Sequence, residues 1–281
     1  MIRLRGVGHS YATASGAVVE SLAGVDFEVE RGEFVSVVGK SGCGKSTLLE
    51  IMAGLKKPSG GSVEITGRTA GRDFGWAGYL TQADSLLPWR TVLDNACLGL
   101  TLRGRSRAER ERHVRPILER FGLEGFERAY PGELSGGMLK RASLARVLAY
   151  DPEVLLLDEP FAPLDAQTRE TLQADLLDLW RDSKKTVVLV THDITEAVLL
   201  SGRIEVLGPR PGRIVDTVRV DAPYPRAIFD PRSACALADA VHRVRRALGT
   251  DDPRQTGQCP NAQMVPPDSP TASAASHAPA C

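Results

Sequence analysis

The residues of this chain best suited to chemistry stand together in Gly39-Lys40-Ser41-Gly42-Cys43-Gly44-Lys45-Ser46-Thr47. Gly39, Gly44, Lys45 and Ser46 satisfy the spacing G-x-x-x-x-G-K-[ST]. In that pattern glycines let backbone N–H groups curl around phosphates at a helix N-terminus, where the dipole favours anions. Lys45 would reach the terminal phosphates and Ser46 would hold Mg²⁺. An apolar run over residues 34–39 reads as a strand, and the apolar spacing over 45–53 reads as a helix. A glycine-rich turn that binds nothing is the plain alternative, and the strand before and helix after speak against it. Cys43, flanked by Gly42 and Gly44, is expected to make nucleotide binding sensitive to thiol alkylation, since added bulk would obstruct the loop.

Other polar residues stand at the ends of apolar runs. Val154-Leu155-Leu156-Leu157 is unbroken, as a parallel strand buried on both faces requires, and it ends in Asp158-Glu159, at the carboxyl end where ligands bind in such sheets. Asp158 suits Mg²⁺, and Glu159 can accept a proton from an attacking water. A second buried run, 186–191, leads into His192, which can contact a γ-phosphate or serve the structure alone. Asp193 and Glu196 then form an N-cap and capping-box pair. Gln82 ends a brief strand and can ligand Mg²⁺ or water, although a loop glutamine is usually just solvated. Ser135-Gly136-Gly137-Met138 opens a helix to about residue 150, a second anion-binding geometry or an ordinary N-cap. Tyr11 is expected in a loop, where its ring can stack on a base or be an ordinary half-buried tyrosine. Asp165 follows Pro163-Leu164 in a turn.

The elements that must position these groups follow from periodicity. Residues 2–29 alternate and are broken by Gly6, Gly8, Gly16 and Gly24, which predicts antiparallel strands and tight turns; 62–65 continues that layer. Residues 86–89, Leu-Leu-Pro-Trp, read as an exposed apolar loop. From 91 to 130 the period is helical. Its charge run over 103–120 reads as a solvated face rather than a nucleic-acid patch. Helices over 168–181 and 233–248 and strands over 204–207 and 214–220 complete the chain before 251–281, whose composition predicts disorder.

Composition sets outer bounds. The 281 residues carry 35 Lys+Arg against 35 Asp+Glu, so no basic field points to nucleic acid, and aromatics at 5% disfavour a base-stacking platform. The scattered cysteines Cys43, Cys97, Cys235, Cys259 and Cys281 lack metal-ligand spacing and read as reduced cytosolic thiols. No apolar run approaches bilayer length, so any membrane role is expected through a partner.

With GKSGCGKST, Gln82, LSGGM, VLLLDEP, APLD and His192 in this order, the chain resembles an ATP-binding cassette (ABC) ATPase, the nucleotide-binding subunit of a transporter. The resemblance covers about 2–220. It implies an α/β fold with a P-loop NTPase (RecA-like) core, an antiparallel β-layer and a helical subdomain at about 91–150; beyond it, 221–250 reads as a helical extension. It implies ATP and Mg²⁺ as cofactors. Tyr11 matches the adenine-stacking aromatic, Gln82 the Q-loop, and Ser135, Gly136, Gly137 and Met138 the signature. Asp158 matches the Walker B aspartate, Glu159 the catalytic base, Asp165 the D-loop and His192 the switch histidine.

LLPWRTVLDN, EPFAPLD and PRPGRI look like the importer subfamily serving nitrate, sulfonate, taurine and similar solutes. Expected partners are a second copy in a head-to-tail ATP-sandwich dimer, a membrane permease and, indirectly, a solute-binding protein, with no nucleic acid. The expected location is the cytoplasmic face of the membrane. The pattern departs from many members at Met138-Leu139-Lys140 and at Lys40. Alternatives are an ABC exporter or non-transport ABC ATPase, the latter including DNA-repair types with coiled coils that this chain lacks. A P-loop kinase or GTPase is disfavoured by the signature and the Asp158-Glu159 pair.

Overall fold

Leu4 faces Phe27 and Val7 faces Val25 where β1 (Ile2–Ala12) pairs antiparallel with β2 (Val18–Val29). The structure, a computed structural model, describes residues 1–250 except 15, 66–67, 70–76, 84, 163 and 227–230; the segment 251–281, expected to be disordered, lies outside the described residues. Gly6, Gly8 and Gly24 were natural candidates for turns, but they sit inside these strands beside register shifts, where an extra residue is absorbed as a bulge. The hairpin is therefore longer than alternation alone suggests. Tyr11 belongs to β1, opposite Val19, and not to a loop.

The chain then enters β3 (Phe34–Gly39), buried at every position, and α1 (Lys45–Met52). β4 (Gly60–Ile65) and β5 (Arg68–Thr69) return it to the antiparallel layer, whose strand order is β2-β1-β4-β5. β6 (Ala77–Leu80) precedes three helices, α2 (Val92–Ala96), α3 (Leu98–Leu102) and α4 (Arg107–Arg120). On α4, Arg107 and Arg115 both pair with Glu111 on an exposed face. After α5 (Gly136–Ala149) come β7 (Val154–Asp158), α6 (Ala166–Ser183), β8 (Thr186–Thr191), α7 (Ile194–Leu200), β9 (Arg203–Leu207), β10 (Ile214–Arg219) and α8 (Pro231–Ala247).

The larger sheet has the order β10-β9-β3-β8-β7-β6, parallel except for the β10–β9 pair. It is covered on both faces, which is why its strands read as continuous apolar runs. Leu155 and Leu157 of β7 and Val187 and Leu189 of β8 join a core with α5 and α6. Their alternates Val154, Leu156, Val188 and Val190 join a second core with α1 and the β-layer. A third core holds α7 and α8 against β9 and β10 through Val198, Ile204, Leu237 and Val244. From β3 the chain runs on to β6, toward one edge, and from neighbouring β8 it crosses to β9, toward the other. That divergence opens a crevice at the carboxyl ends of β3 and β8.

Candidate nucleotide site

The loop after β3 is held in one shape by steric necessity at two glycines. A Cβ on Gly39 would lie 2.6 Å from Cys43 Sγ and 2.8 Å from the Leu207 carbonyl. Gly44 has φ +110°, and a Cβ there would meet Leu22 Cδ2 at 2.8 Å. As N-cap of α1 it offers no side-chain acceptor, so the first N–H groups of that helix keep their hydrogen-bonding capacity for whatever the loop encloses. Lys40, Ser41, Gly42 and Ser46 are exposed and Thr47 is half-buried. Lys45 lies across the loop, its Nζ donating to the carbonyls of Gly39 at 2.8 Å and Lys40 at 3.2 Å. Cys43 departs from expectation. Its side chain is buried beneath the loop rather than set in the phosphate cradle, and burial pushes its thiol pKa up, so alkylation should be slow.

Asp158, the last residue of β7, is buried, and its Oδ1 has no hydrogen-bond partner. Burial pushes the carboxyl pKa up, the Ser46 hydroxyl pulls it back down through a hydrogen bond, and Glu159 adds a smaller upward push. An orphaned carboxylate oxygen beside an exposed hydroxyl is an all-oxygen donor set of the kind a hard divalent cation takes, so these residues fit Mg²⁺. Among the described residues no group of three or more His, Cys, Asp or Glu could hold a metal. Such an ion would therefore keep waters and phosphate oxygens as most of its ligands.

Glu159 adopts φ +45°, a left-handed conformation that costs a residue with a Cβ about 1–2 kcal/mol. Its N–H still donates to the Val190 carbonyl at 2.9 Å, so the chain leaves the sheet abruptly while tied to β8. The carboxylate is thereby held between two predicted residues. Gln82 Nε2 donates to Oε2 at 3.1 Å, and His192 Nδ1 lies 3.3 Å from Oε1. Three strand ends, those of β6, β7 and β8, converge on one carboxylate. His192 remains largely exposed and Glu159 largely buried, at 60% and 15% side-chain exposure.

Other predicted residues lie apart. Ser135 is the N-cap of α5, accepting from Met138 N at 3.3 Å, and a Cβ on Gly137 would meet Thr168 and Leu164. Gly136 has open space at its Cβ position. Asp165 caps α6 by accepting from Thr168 N at 3.0 Å, which lowers its pKa. Among the described residues, no hydrogen bond joins these two helix starts to the loop at 39–47. Tyr11 is half exposed, with the Arg210 guanidinium 5.7 Å from its ring centroid.

Several supporting residues escape sequence reasoning because they are polar groups inside helices. Lys140, buried on α5, donates to the Gln82 carbonyl at 2.6 Å, and Arg146 donates to the Ser85 carbonyl at 2.5 Å. Asn95 accepts from Leu87 N at 2.7 Å and donates to the carbonyls of Leu87, Arg90 and Thr91. The loop they hold is less exposed than predicted: Leu86 is buried, while Trp89 is 70% exposed. The expected capping box also changes. Asp193 caps α7 through Thr195 N and Glu196 N, but Glu196 turns inward and takes the Thr191 hydroxyl at 2.7 Å. Asp193 N is already served by that same hydroxyl, at 3.0 Å.

Comparison with known proteins adds an independent line. The family model described as ABC transporter matches residues 22–162. An uncharacterised ABC transporter ATP-binding protein of Methanocaldococcus jannaschii is 49% identical over 75% of this chain and 79% of its own length. The aliphatic sulfonates import ATP-binding protein SsuB of Bacillus licheniformis is 47% identical, over 75% of this chain and 81% of its own. The taurine import ATP-binding protein TauB of Pseudomonas aeruginosa is 46% identical, over 78% and 83%. A dimeric bacterial ABC transporter cassette, also solved in a post-hydrolysis state with ADP and Pi, superposes with a TM-score of 0.72 at 32% identity, covering 81% of this chain and all of that one.

Proposed function

The chain belongs to the ABC transporter family, as one of its ATP-hydrolysing subunits, and from that premise we propose that it powers import of a small sulfonate-like solute such as taurine through a membrane permease. The observation that carries the chemistry is Glu159, held between Gln82 and His192 at 3.1 and 3.3 Å beside the orphaned oxygen of Asp158. The import reading is supported by the SsuB and TauB relatives, each named for uptake of a sulfonated solute.

In this reading Tyr11 stacks on adenine, and the backbone N–H groups from Gly39 to Thr47, with Lys45, bind the phosphates. Ser46, Asp158 and Gln82 would hold Mg²⁺, which when bound would supply positive charge to the phosphate chain. Glu159 takes a proton from the water whose oxygen bonds to the γ-phosphorus as the bond to the ADP oxygen breaks. Gln82 and His192 keep that carboxylate aimed, and His192, being exposed, also faces the γ-phosphate. Lys45 must release the carbonyls of Gly39 and Lys40 to reach the phosphates. Ser135, Gly136 and Gly137, which among the described residues make no hydrogen bond to the loop, meet the nucleotide of a second copy in a head-to-tail dimer, with Asp165 at the same junction. The subunit works on the cytoplasmic face, with a solute-binding protein delivering the solute to the permease. Residues 2–220 form the ATPase domain, with its helical subdomain at about 91–150, and 221–250 a helical extension.

The test is uptake by proteoliposomes holding the chain and its co-purifying permease, supplied with solute-binding protein and labelled taurine, an alkanesulfonate or nitrate. MgATP-dependent uptake of a sulfonate is expected. Glu159→Gln should bind MgATP yet abolish uptake and hydrolysis, while Lys45→Ala should lose nucleotide affinity. Near-normal hydrolysis by Glu159→Gln removes Glu159 from its role, and ATP-driven efflux instead of uptake overturns the import reading.

A further inference from the structure

The turn between β9 and β10 is pressed against the loop at 39–47, and its arginine reaches the Tyr11 ring. Gly208 N donates to the Arg213 carbonyl at 2.9 Å, closing the turn Pro209-Arg210-Pro211-Gly212. Gly212 is seated on β2 by two backbone bonds, donating to the Ser21 carbonyl at 2.9 Å and accepting from Ala23 N at 3.1 Å. The seat leaves no space: a Cβ on Gly212 would lie 2.3 Å from the Cys43 carbonyl in the phosphate loop. β2 packs on that loop from the same side, since Ser21 and Leu22 are also the atoms a Cβ on Gly44 would strike. The turn, β2 and the phosphate loop thus form one fixed contact.

On that base stands Arg210, exposed, with its guanidinium 5.7 Å from the Tyr11 ring centroid. Tyr11 lies at the turn end of β1, its backbone paired with Val19 and its ring half exposed. A guanidinium stacked on one face of such a ring limits its orientations and leaves the other face for a planar ligand.

We propose that Arg210 is a positioning residue of the nucleotide site, holding Tyr11 as a platform for the adenine base. The inference rests on the reading of Tyr11 as the base-stacking ring. It assigns a role to the PRPG turn, and it makes that turn part of base recognition.

Equilibrium binding of MgATP and of magnesium tripolyphosphate, which has the phosphates without the base, tests this in the full chain. The proteins compared are wild type, Arg210→Ala, Arg210→Lys, Tyr11→Ala and the Arg210→Ala/Tyr11→Ala double variant. All replaced side chains are exposed, and thermal midpoints verify folding. Arg210→Ala should weaken MgATP about two- to five-fold, the equilibrium weight of an exposed cation–ring contact. Tripolyphosphate affinity and kcat at saturating ATP should stay unchanged, with Arg210→Lys intermediate. The double variant should bind MgATP no more weakly than Tyr11→Ala alone. Wild-type affinity in Arg210→Ala alongside weakened Tyr11→Ala overturns the role of Arg210 and leaves Tyr11 as the platform. So does an equal loss for tripolyphosphate, or losses that multiply in the double variant. Wild-type affinity in Tyr11→Ala overturns the platform reading itself, and the role of Arg210 falls with it.

Discussion

Glu196 is a carboxyl group that the fold keeps neutral: burial pushes its pKa up to about 8, only partly offset by the hydrogen bond from the Thr191 hydroxyl. Its Oε1 has no partner, and the charged groups that act on it, Asp193, Glu159 and Arg169, do not offset burial. In the unfolded chain the same group would titrate near 4.5. Between those values the unfolded state has released a proton that the folded state retains, so stability falls as pH rises through the window. The effect is absent below the lower value and complete above the upper one. At about 1.4 kcal/mol per pKa unit it amounts to a few kcal/mol. Glu196→Gln should therefore gain stability over wild type between pH 5 and pH 8.5, measured by urea unfolding at both. Asp158 and Glu205, also raised by burial, are common to both proteins and cancel. Parallel stabilities across that range would mean that Glu196 is ionised in the fold. In the sequence this residue passed for a capping-box glutamate because spacing records only that it stands three residues after Asp193. It does not record that the Thr191 hydroxyl has already taken the Asp193 N–H.

At the scale of elements, legibility followed burial. β3, β7 and β8 could be read to within a residue because both faces are covered and nothing polar interrupts them before the chemistry begins at Gly39, Asp158 and His192. The β1–β2 hairpin was harder, since a glycine in a bulge and a glycine in a turn look alike in sequence, and Tyr11 was misplaced for that reason. The segment after Gln82 was harder still. Leu86 packs into the core while Asn95, Lys140 and Arg146 hold the backbone around it, and no periodicity marks a polar side chain that bonds to a loop. Asn95 carries the largest share, with three carbonyls receiving its amide. Asn95→Ala should strand the Arg90 carbonyl and the Leu87 N–H, while the Leu87 and Thr91 carbonyls keep backbone donors in Arg90 N and Asn95 N; at about 1–3 kcal/mol for each buried polar group left unpaired, less what water regains, the cost is about 2–4 kcal/mol. Urea unfolding measures the loss, and limited proteolysis should cut within 85–91 faster than in the wild-type chain. An unchanged stability would mean the loop is held by α5 alone.

At the scale of the molecule, the two helix starts suited to anions set the problem. One follows the loop at 39–47 and carries Lys45, and the other is capped by Ser135. Within one chain the second packs beside Thr168 and Leu164. A site that uses both is completed, in the proposed function, by a second copy turned head to tail, so that each ATP touches the loop of one subunit and the Ser135 turn of the other. The consequence is complementation. Lys45→Ala breaks both sites of its homodimer, and Ser135→Arg, which puts a bulky cation at the helix start, breaks both sites of its own. In the mixed dimer one site takes both defects and the other joins an intact loop to an intact turn. Mixing the variants in the presence of the permease should therefore restore vanadate-trapped nucleotide, toward half the wild-type amount in dimers sorted to be mixed. Trapping is the suitable readout because it registers one competent site, whereas turnover can need both. If purified mixed dimers trap no more than the homodimers, the Ser135 turn does not complete the partner's site, and its glycines serve only to start α5.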